Sequence, residues 1–388
     1  MEGVLQLIRF ENVSKTYRGQ TQEVVHDINM VIPKGQIVVL IGPSGCGKTT
    51  CLKMINRLVK LSSGHIYIDG EDIMNKDPIQ LRRNMGYVIQ QTGLFPHFTV
   101  RQNIEIIPTL QKTDKEVIAE RTKKLMDMIG LDPDEYLDRY PTQLSGGQMQ
   151  RVGVARAFAT DPEIILMDEP FSAVDPITRS QLQDELLFLQ ANMKKTIVFV
   201  THDMDEAIRL ADKICILNDG VIVQYDTPEK IMKEPADDYV ARFVGPNRIW
   251  SRPEFIRASD IMIKDPVAVP ADLTLIKAIE IMRAERVDSA MVLDESRKFV
   301  GMVRANDIQA ASDKQATCAS IMRQPAAVAT PGKNLVELLA AVNETGAKNI
   351  PVLKDNGQLA GLVTTSSLVT TMSQQFSDGS SSEEEVRS

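Results

Sequence analysis

Cysteine, histidine and aromatic residues are scarce in this chain. Its four cysteines, Cys46, Cys51, Cys215 and Cys318, are scattered and form no CxxC pair. That spacing argues against a disulfide framework or a thiolate zinc site, and it fits a reducing cytoplasm. The four histidines, His26, His65, His97 and His202, do not cluster either. No apolar run reaches the ~18 residues that mark a membrane span. The opening Met1-Glu2-Gly3-Val4-Leu5 lacks the basic region and long apolar core of a signal peptide. Positive charge is in deficit, with a net charge of −8 at pH 7. This argues against a nucleic-acid partner held by phosphate neutralisation. The rest is ordinary for a globular protein: 388 residues, 43 % hydrophobic and 25 % charged, enough for about two or three domains.

One stretch organises the remainder. Gly42-Pro43-Ser44-Gly45-Cys46-Gly47-Lys48-Thr49 fits G-x-x-x-x-G-K-[ST], the phosphate-binding loop. The apolar run Ile37-Val38-Val39-Leu40-Ile41 before it reads as a buried strand, and Thr50 to Ile55 after it as the first turns of a helix. The glycines let backbone N–H groups turn inward around a phosphate, and the helix N-terminus adds partial positive charge. Lys48 is expected to reach the β- and γ-phosphates and Thr49 to ligate Mg²⁺. Cys46, beside that helix N-terminus, is expected to favour the thiolate and to be shielded from maleimide by nucleotide.

Around the loop, Leu5 to Phe10 alternates weakly as a strand, and Tyr17 follows it. Tyr17 reads either as a packing residue or as an aromatic that stacks on adenine. Gly64 to Gly70 and Met85 to Gln90 read as strands, the second placing Gln90 where an amide senses Mg²⁺ or the attacking water. Thr113 to Leu131 is helical, with an apolar stripe of Val117, Ile118, Leu125, Met128 and Ile129. Leu144-Ser145-Gly146-Gly147-Gln148 opens another helix through Phe158. Ser145 is its N-cap, and the two glycines allow close approach to an anion. Ile164 to Glu169 is a buried strand ending in two carboxylates. Adjacent buried acids need a cation or a reactive role: Asp168 suits a Mg²⁺ shell and Glu169 a general base. Asp175 lies on the next turn. Thr196 to Val200 is a further core strand, closed by Thr201-His202-Asp203, where His202 can contact a γ-phosphate. Ile214 to Leu217 and Val221 to Gln224 flank Asn218-Asp219-Gly220 as a hairpin.

In this order, the loop, the signature Leu144 to Gln148 and the acidic strand resemble an ATP-binding-cassette (ABC) ATPase over about Leu5 to Phe243. The resemblance implies a head-to-tail homodimer holding two ATP molecules. Gly42, Pro43, Ser44, Gly45, Cys46, Gly47, Lys48, Thr49, Thr50, Gln90, Asp168, Glu169 and His202 would act from one subunit. Ser145, Gly146, Gly147 and Gln148 would close on the same ATP from the other, with Asp175 also at the nucleotide and Tyr17 stacking on adenine. Glu169, His202 and Gln90 would be catalytic; Thr49, Gln90 and Asp168 would hold Mg²⁺.

Past about Gly245 the chain changes character, and Pro246, Arg252 and Pro253 mark a linker. An internal repeat follows. Met262 recurs as Met322, Gly301 as Gly361, and Ala290 to Leu293 as Ile350 to Leu353, each 60 residues on. Each copy supplies a helix and two short strands, too little for its own core, so the copies should pair. The repeat resembles a tandem of cystathionine-β-synthase-type (CBS) motifs, which commonly sense adenosine nucleotides. That family often ends its second strand in [ST]-x-x-D. Here the first copy has Arg304 and Asp307 and the second Thr364 and Ser367, an incomplete pattern that argues against ordinary mononucleotides.

The fold expected is therefore α/β: a P-loop ABC ATPase domain over 1–245, a linker over 246–253, and an α+β tandem CBS module. Its two motifs span 254–313 and 314–372, and 373–388 forms a disordered Ser/Glu/Asp-rich tail. Nearly the whole chain resembles the ATPase subunit of bacterial importers for glycine betaine, carnitine or choline, and Gln91-Thr92-Gly93-Leu94-Phe95-Pro96 strengthens the likeness. The resemblance implies a peripheral protein on the cytoplasmic face of the membrane. Its partners would be separate permease subunits, docked after Gln90, and a substrate-binding protein. The CBS pair would act as a brake worked by a cyclic dinucleotide, cyclic di-AMP. The alternatives are a soluble cassette ATPase of DNA repair or translation, a sensor that hydrolyses ATP only as a timer, and a transporter ATPase gated by ionic strength.

Overall fold

The computed structural model describes residues 6–19, 22–89, 93–172, 174–245, 248 and 252–377. The chain divides into two compact units, Met1–Val244 and Gly245–Ser388.

The first unit holds two sheets. The larger runs in the order Val221–Asp226, Lys213–Asn218, Ile37–Ile41, Thr196–Thr201, Ile164–Asp168, Met85–Val88. All neighbours pair parallel except the first two, which form a hairpin. The central strands are unbroken apolar runs because helices and the second sheet cover both faces; Ile37–Ile41 and Thr196–Thr201 are buried at every position. The smaller sheet is antiparallel, in the order Glu23–Pro33, Gln6–Thr16, Ser63–Ile68, Glu71–Asp72. Phe10, Ile8, Ile28 and Ile66 from it pack with Val38, Leu40, Leu52 and Val198 in one core.

Several expected elements shift. The first strand runs on to Thr16, because Asn12, at φ 48°, adds a bulge that re-phases the alternation and keeps Val13 buried. Leu5 lies outside the described residues. The helix expected over 113–131 spans Lys115–Met128, and its buried face is Ile118, Thr122, Leu125 and Met126. Val117 is 45 % exposed: the i, i+4, i+7, i+8 stripe begins at Ile118, one step round the helix.

The second unit has a three-stranded sheet, Ala268–Pro270, Ser289–Leu293 and Phe299–Arg304, and a hairpin of Asn349–Leu353 with Leu359–Thr364. The 60-residue spacing survives in register: Val292 pairs with Gly301 as Val352 pairs with Gly361. Each copy carries more than the expected helix and two strands, because a lead-in helix and a closing helix flank them.

The copies pair by exchanging their lead-in segments. Ile256 and Ala258 sit in the core of the second copy with Leu335, Leu338 and Val363. Cys318 sits in the core of the first with Leu275, Ala278 and Val303. Ile263 and Leu362 exchange both backbone hydrogen bonds, at 2.9 and 3.0 Å, and Met302 and Arg323 do the same, at 2.9 Å each. The repeated glycines sit at these crossings. A Cβ on Gly361 would lie 2.5 Å from Met262 Sδ and 2.7 Å from Ile263 O, and one on Gly301 3.1 Å from Arg323 O. Met291, Met302 and Leu362 close the seam, and Asn349 donates to Ser289, its repeat equivalent, at 2.9 Å.

The closing helix Thr365–Ser377 runs five residues into the segment expected as tail, with Leu368 and Thr371 buried. Residues 378–388 lie outside the described residues, as do 246, 247 and 249–251 of the expected linker.

Candidate active site

Parallel strands deliver their C-terminal ends to one edge of a sheet, where open α/β folds bind ligands. Here Ile41 is in register with Thr201, and Asp168 with Val200. The residues that follow, Gly42, Glu169 and His202, therefore share that edge.

The loop from Gly42 turns through glycines that no larger residue replaces. A Cβ on Gly42 would lie 2.0 Å from Leu217 O, and one on Gly47, at φ 102°, 2.8 Å from Val24 O. Gly45, at φ 85°, has open space in front of it. Gly47 leads into the helix Lys48–Ile55. Pro43 and Ser44 form the turn between, and Cys46 N donates to Pro43 O at 3.4 Å. Lys48, buried, donates to Gly42 O at 2.7 Å and Pro43 O at 2.8 Å. Its ammonium thus spans the loop on which a phosphate would sit.

Thr49 Oγ1 donates to Asp168 Oδ1 at 2.6 Å. Asp168 is 6 % exposed and has a second partner that the sequence reading missed, Lys53, with Nζ 3.6 Å from Oδ2. The signal was present, since Lys53 stands four residues after Thr49 on one helix face. A hydroxyl and one carboxylate side by side make a hard-oxygen pair suited to Mg²⁺, which takes one or two protein oxygens and completes its shell with phosphate and water. No group of three His, Cys, Asp or Glu side chains with metal-binding geometry occurs among the described residues. Gln90, the third expected ligand, lies outside the described residues; its strand ends at Val88.

Glu169 leaves the strand in the left-handed region, φ 45°, which turns it away from Asp168. His202 Nδ1 donates to Glu169 Oε2 at 3.2 Å. Thus one acid faces the Thr49 hydroxyl and its neighbour faces an imidazole. Tyr17 reaches the same helix through its hydroxyl, 3.2 Å from Thr50 Oγ1, with Lys15 Nζ 5.0 Å from the ring centroid.

Cys46 departs from expectation. It is 4 % exposed, and burial pushes its thiol above the ordinary 9.0, outweighing the nearby Lys48 ammonium. Burial, not the helix N-terminus, decides its chemistry.

Ser145 is the N-cap of Gly146–Phe158, in a capping box with Gln148. Gln148 Nε2 donates to Tyr136 Oη at 3.2 Å. Ser145, Gly146, Gly147 and Gln148 line a groove of about 730 Å³ together with Asp175, Thr178 and Arg151. Asp175 caps the helix Pro176–Met193 by accepting from Thr178 N. No residue of the Gly42–Thr49 loop lines this groove. The structure therefore gathers the expected residues into two separate sets.

A third feature lies beyond Gln90. Phe95, His97 and Phe98 form an aromatic cluster, with ring centroids 4.7 to 6.1 Å apart. Asn103, fully buried, pins it: Nδ2 donates to Phe95 O, Phe98 O and Thr99 O at 3.0 to 3.1 Å, and Oδ1 accepts from Phe95 N at 2.7 Å. Arg156 of the signature helix donates to Gly93 O at 2.7 Å. Beside the cluster lies a groove of about 480 Å³ lined by Tyr87, Phe95, Ile107 and Leu110.

In the second unit Asp307, Thr364 and Ser367 of the incomplete [ST]-x-x-D patterns have partners within the unit. Arg323 donates to Asp307 Oδ1 at 2.7 Å, and Thr364 N donates to Ser367 Oγ at 2.9 Å.

Comparison with known proteins agrees with this division. Residues 25–172 match the ABC transporter family, and residues 258–314 and 318–373 match the CBS domain. The chain is 49 % identical over 94 % of its length to the glycine betaine/carnitine/choline transport ATP-binding protein of Bacillus subtilis, covering 95 % of it. It is 46 % identical, again over 94 %, to the carnitine transport ATP-binding protein of Listeria monocytogenes, covering 91 %. Among solved structures, a dimeric bacterial ABC transporter cassette is similar with a TM-score of 0.52 and 34 % identity, over 57 % of this chain and 99 % of that one.

Proposed function

The chain belongs to the family of ABC transporter ATP-binding subunits that carry two CBS domains, and we propose that it hydrolyses ATP to drive import of a quaternary-ammonium osmoprotectant. The observation that carries this reading is the pairing of Thr49 with Asp168 beside that of Glu169 with His202 at one sheet edge. The relatives' names supply the solute class: glycine betaine, carnitine and choline.

The residues divide the reaction among them. The backbone of Gly42 to Gly47 and the Lys48 ammonium bind the β- and γ-phosphates of ATP. Tyr17 offers the ring face away from Lys15 to adenine, and Thr50 fixes its hydroxyl. Thr49 and Asp168, with Gln90, would hold Mg²⁺, which when bound neutralises charge on the phosphate oxygens. Glu169 orients a water and accepts its proton as the new P–O bond forms and the bond to the ADP oxygen breaks. His202 holds the Glu169 carboxylate and contacts the γ-phosphate. Ser145 to Gln148 and Asp175, set in their own groove, act on the ATP of a second copy. That separation supports a head-to-tail homodimer, as does the dimeric state of the similar cassette.

No helix among the described residues is long and apolar enough to cross a membrane. The chain then docks peripherally, on the cytoplasmic face, on permease subunits, and the groove beside Phe95 is the surface offered to them. A substrate-binding protein completes the complex. The CBS pair acts as a brake, and cyclic di-AMP is its ligand: a symmetric ligand suits a pseudo-twofold unit, and Asp307, Thr364 and Ser367 of the incomplete [ST]-x-x-D patterns are engaged by internal contacts. The test is uptake into proteoliposomes holding the whole complex. Uptake of choline, carnitine or glycine betaine should require MgATP and disappear with Glu169→Gln. ATP hydrolysis indifferent to permease and solute-binding protein would favour the soluble ATPase or the timer. Cyclic di-AMP should inhibit saturably at fixed salt. An ionic sensor would instead weaken as the Debye length falls from ~10 Å at 0.1 M to ~3 Å at 1 M.

A further inference from the structure

Arg179 joins the two separate halves of the site within one chain. It stands on the first turn of Pro176–Met193, whose N-cap Asp175 lines the signature groove. Its side chain donates to Val174 O at 3.1 Å, holding the turn that carries Asp175. From the same guanidinium, one nitrogen lies 3.6 Å from Asp203 Oδ2 and another 3.8 Å from Glu206 Oε1. Asp203 is the N-cap of Met204–Leu210 and directly follows His202.

Glu206 carries the link onward. It is 7 % exposed and accepts from Thr201 Oγ1 at 2.7 Å, and Thr201 Oγ1 accepts from Asp203 N at 3.0 Å. Residues 201 and 203, on either side of His202, thus hang on the buried carboxylate. A charge in so little water needs its counter-ion, and Arg179 is the cation placed to supply it. Burial raises the Glu206 carboxyl above its usual range, while Thr201 and Arg179 pull it back. Arg209 clamps the same two helices from Ser180, Gln183 and Asp184 at 2.7 to 3.0 Å, and Gln183 Nε2 donates to Glu206 Oε1 at 3.4 Å; Arg179 is the cation that joins them at the end nearest Asp175 and Asp203.

We propose that Arg179 is a positioning residue that couples the two ATP sites, setting His202 at one by the position of Asp175 at the other. The proposal builds on the head-to-tail reading above. If Asp175 moves as a second copy closes on it, the guanidinium transmits that movement to Asp203 and Glu206. The His202–Glu169 contact, already made at 3.2 Å in the single chain, is then shifted into its working position as the opposite half-site closes.

The test uses the full-length chain with MgATP. Arg179→Met should lower kcat on the order of 10- to 10²-fold, the cost of small misplacement at a site. It should also bring the Hill coefficient for ATP, which can reach the number of sites, down to one. Arg179→Lys should recover part of both. Glu206→Gln should resemble Arg179→Met, and the double variant should be no worse than either single one. A merely structural arginine would lower melting temperature and active fraction together and leave the Hill coefficient unchanged; that result overturns the proposal, as does Arg179→Lys behaving like Arg179→Met. Light scattering on Glu169→Gln in MgATP separates the two readings. A dimer there, with an unchanged Hill coefficient in Arg179→Met, defeats this proposal alone. A monomer there defeats the head-to-tail reading and this proposal with it.

Discussion

The two units, Met1–Val244 and Gly245–Ser388, solve opposite problems. The first gathers unlike residues, a lysine, a threonine, two acids and a histidine, at the ends of three parallel strands. Each has a neighbour that sets its chemistry: Thr49 for Asp168, His202 for Glu169, the loop carbonyls for Lys48. The second unit repeats like residues and uses them on each other. Its repeated spacing serves packing, with Met262 crossing Gly361 and Met322 beside Gly301. Its candidate polar residues are bound internally, Asp307 by Arg323 and Thr364 by Ser367. Asymmetry in the first unit sets unlike groups against one another; near-symmetry in the second sets like groups against their repeat equivalents.

That contrast can be broken in four places. The largest effect belongs to Glu169→Gln, which keeps shape and removes the proton acceptor. Hydrolysis should fall roughly 10²- to 10⁴-fold while ATP binding persists, measured by phosphate release and by a fluorescent ATP analogue. Near-normal turnover would take the general base away from Glu169.

Gly361→Val should act on the second unit alone. It overpacks the crossing, at a cost of about 1–3 kcal/mol, and should lower the melting transition of that unit with MgATP hydrolysis intact. Gly301→Val, with 3.1 Å of clearance in place of 2.5 Å, should cost less. Equal costs, or lost hydrolysis, would contradict the exchanged packing or the separation of the units.

Asn103→Ala removes the amide that pins the aromatic cluster. Leaving those carbonyls unsatisfied costs about 1–3 kcal/mol. The expected signature is weaker stimulation of hydrolysis by permease with the basal rate kept. A drop in basal rate with stimulation preserved would place Asn103 in the core rather than at the docking surface.

The smallest effect concerns Cys46. Burial raises its thiol above 9.0, so the thiolate fraction at neutral pH is lower than that of a free cysteine. Maleimide labelling should be slow at pH 7 and climb as pH passes above 9, with MgATP slowing it further. Labelling at pH 7 as fast as that of free cysteine would show that the helix N-terminus governs this thiol after all.

The sequence carried the first unit well because phosphate chemistry dictates residue types at fixed spacing. Gly42 to Thr49, Ser145 to Gln148 and Asp168-Glu169 are each local in the chain, so the roles proposed for them can be read before any fold is known. Lys53 and Arg179 were missed because their partners stand far along the chain: Lys53 meets Asp168, and Arg179 meets Glu206. Cys46 was misjudged because helix polarity is visible in a sequence and burial is not. In the second unit the repeat was legible but its exchange was not. A 60-residue repeat reads the same whether Met262 packs on its own copy or on the other. Only the backbone exchange between Ile263 and Leu362 decides it.

The central claim is that ATP is hydrolysed between two copies of this chain, each supplying half of each site. The most direct test is the mass of full-length Glu169→Gln by light scattering, with and without MgATP. The account predicts a shift in MgATP to twice the 43.1 kDa of one chain, abolished by Ser145→Arg in the signature groove. A mass that ignores MgATP, or a dimer indifferent to Ser145→Arg, would contradict it.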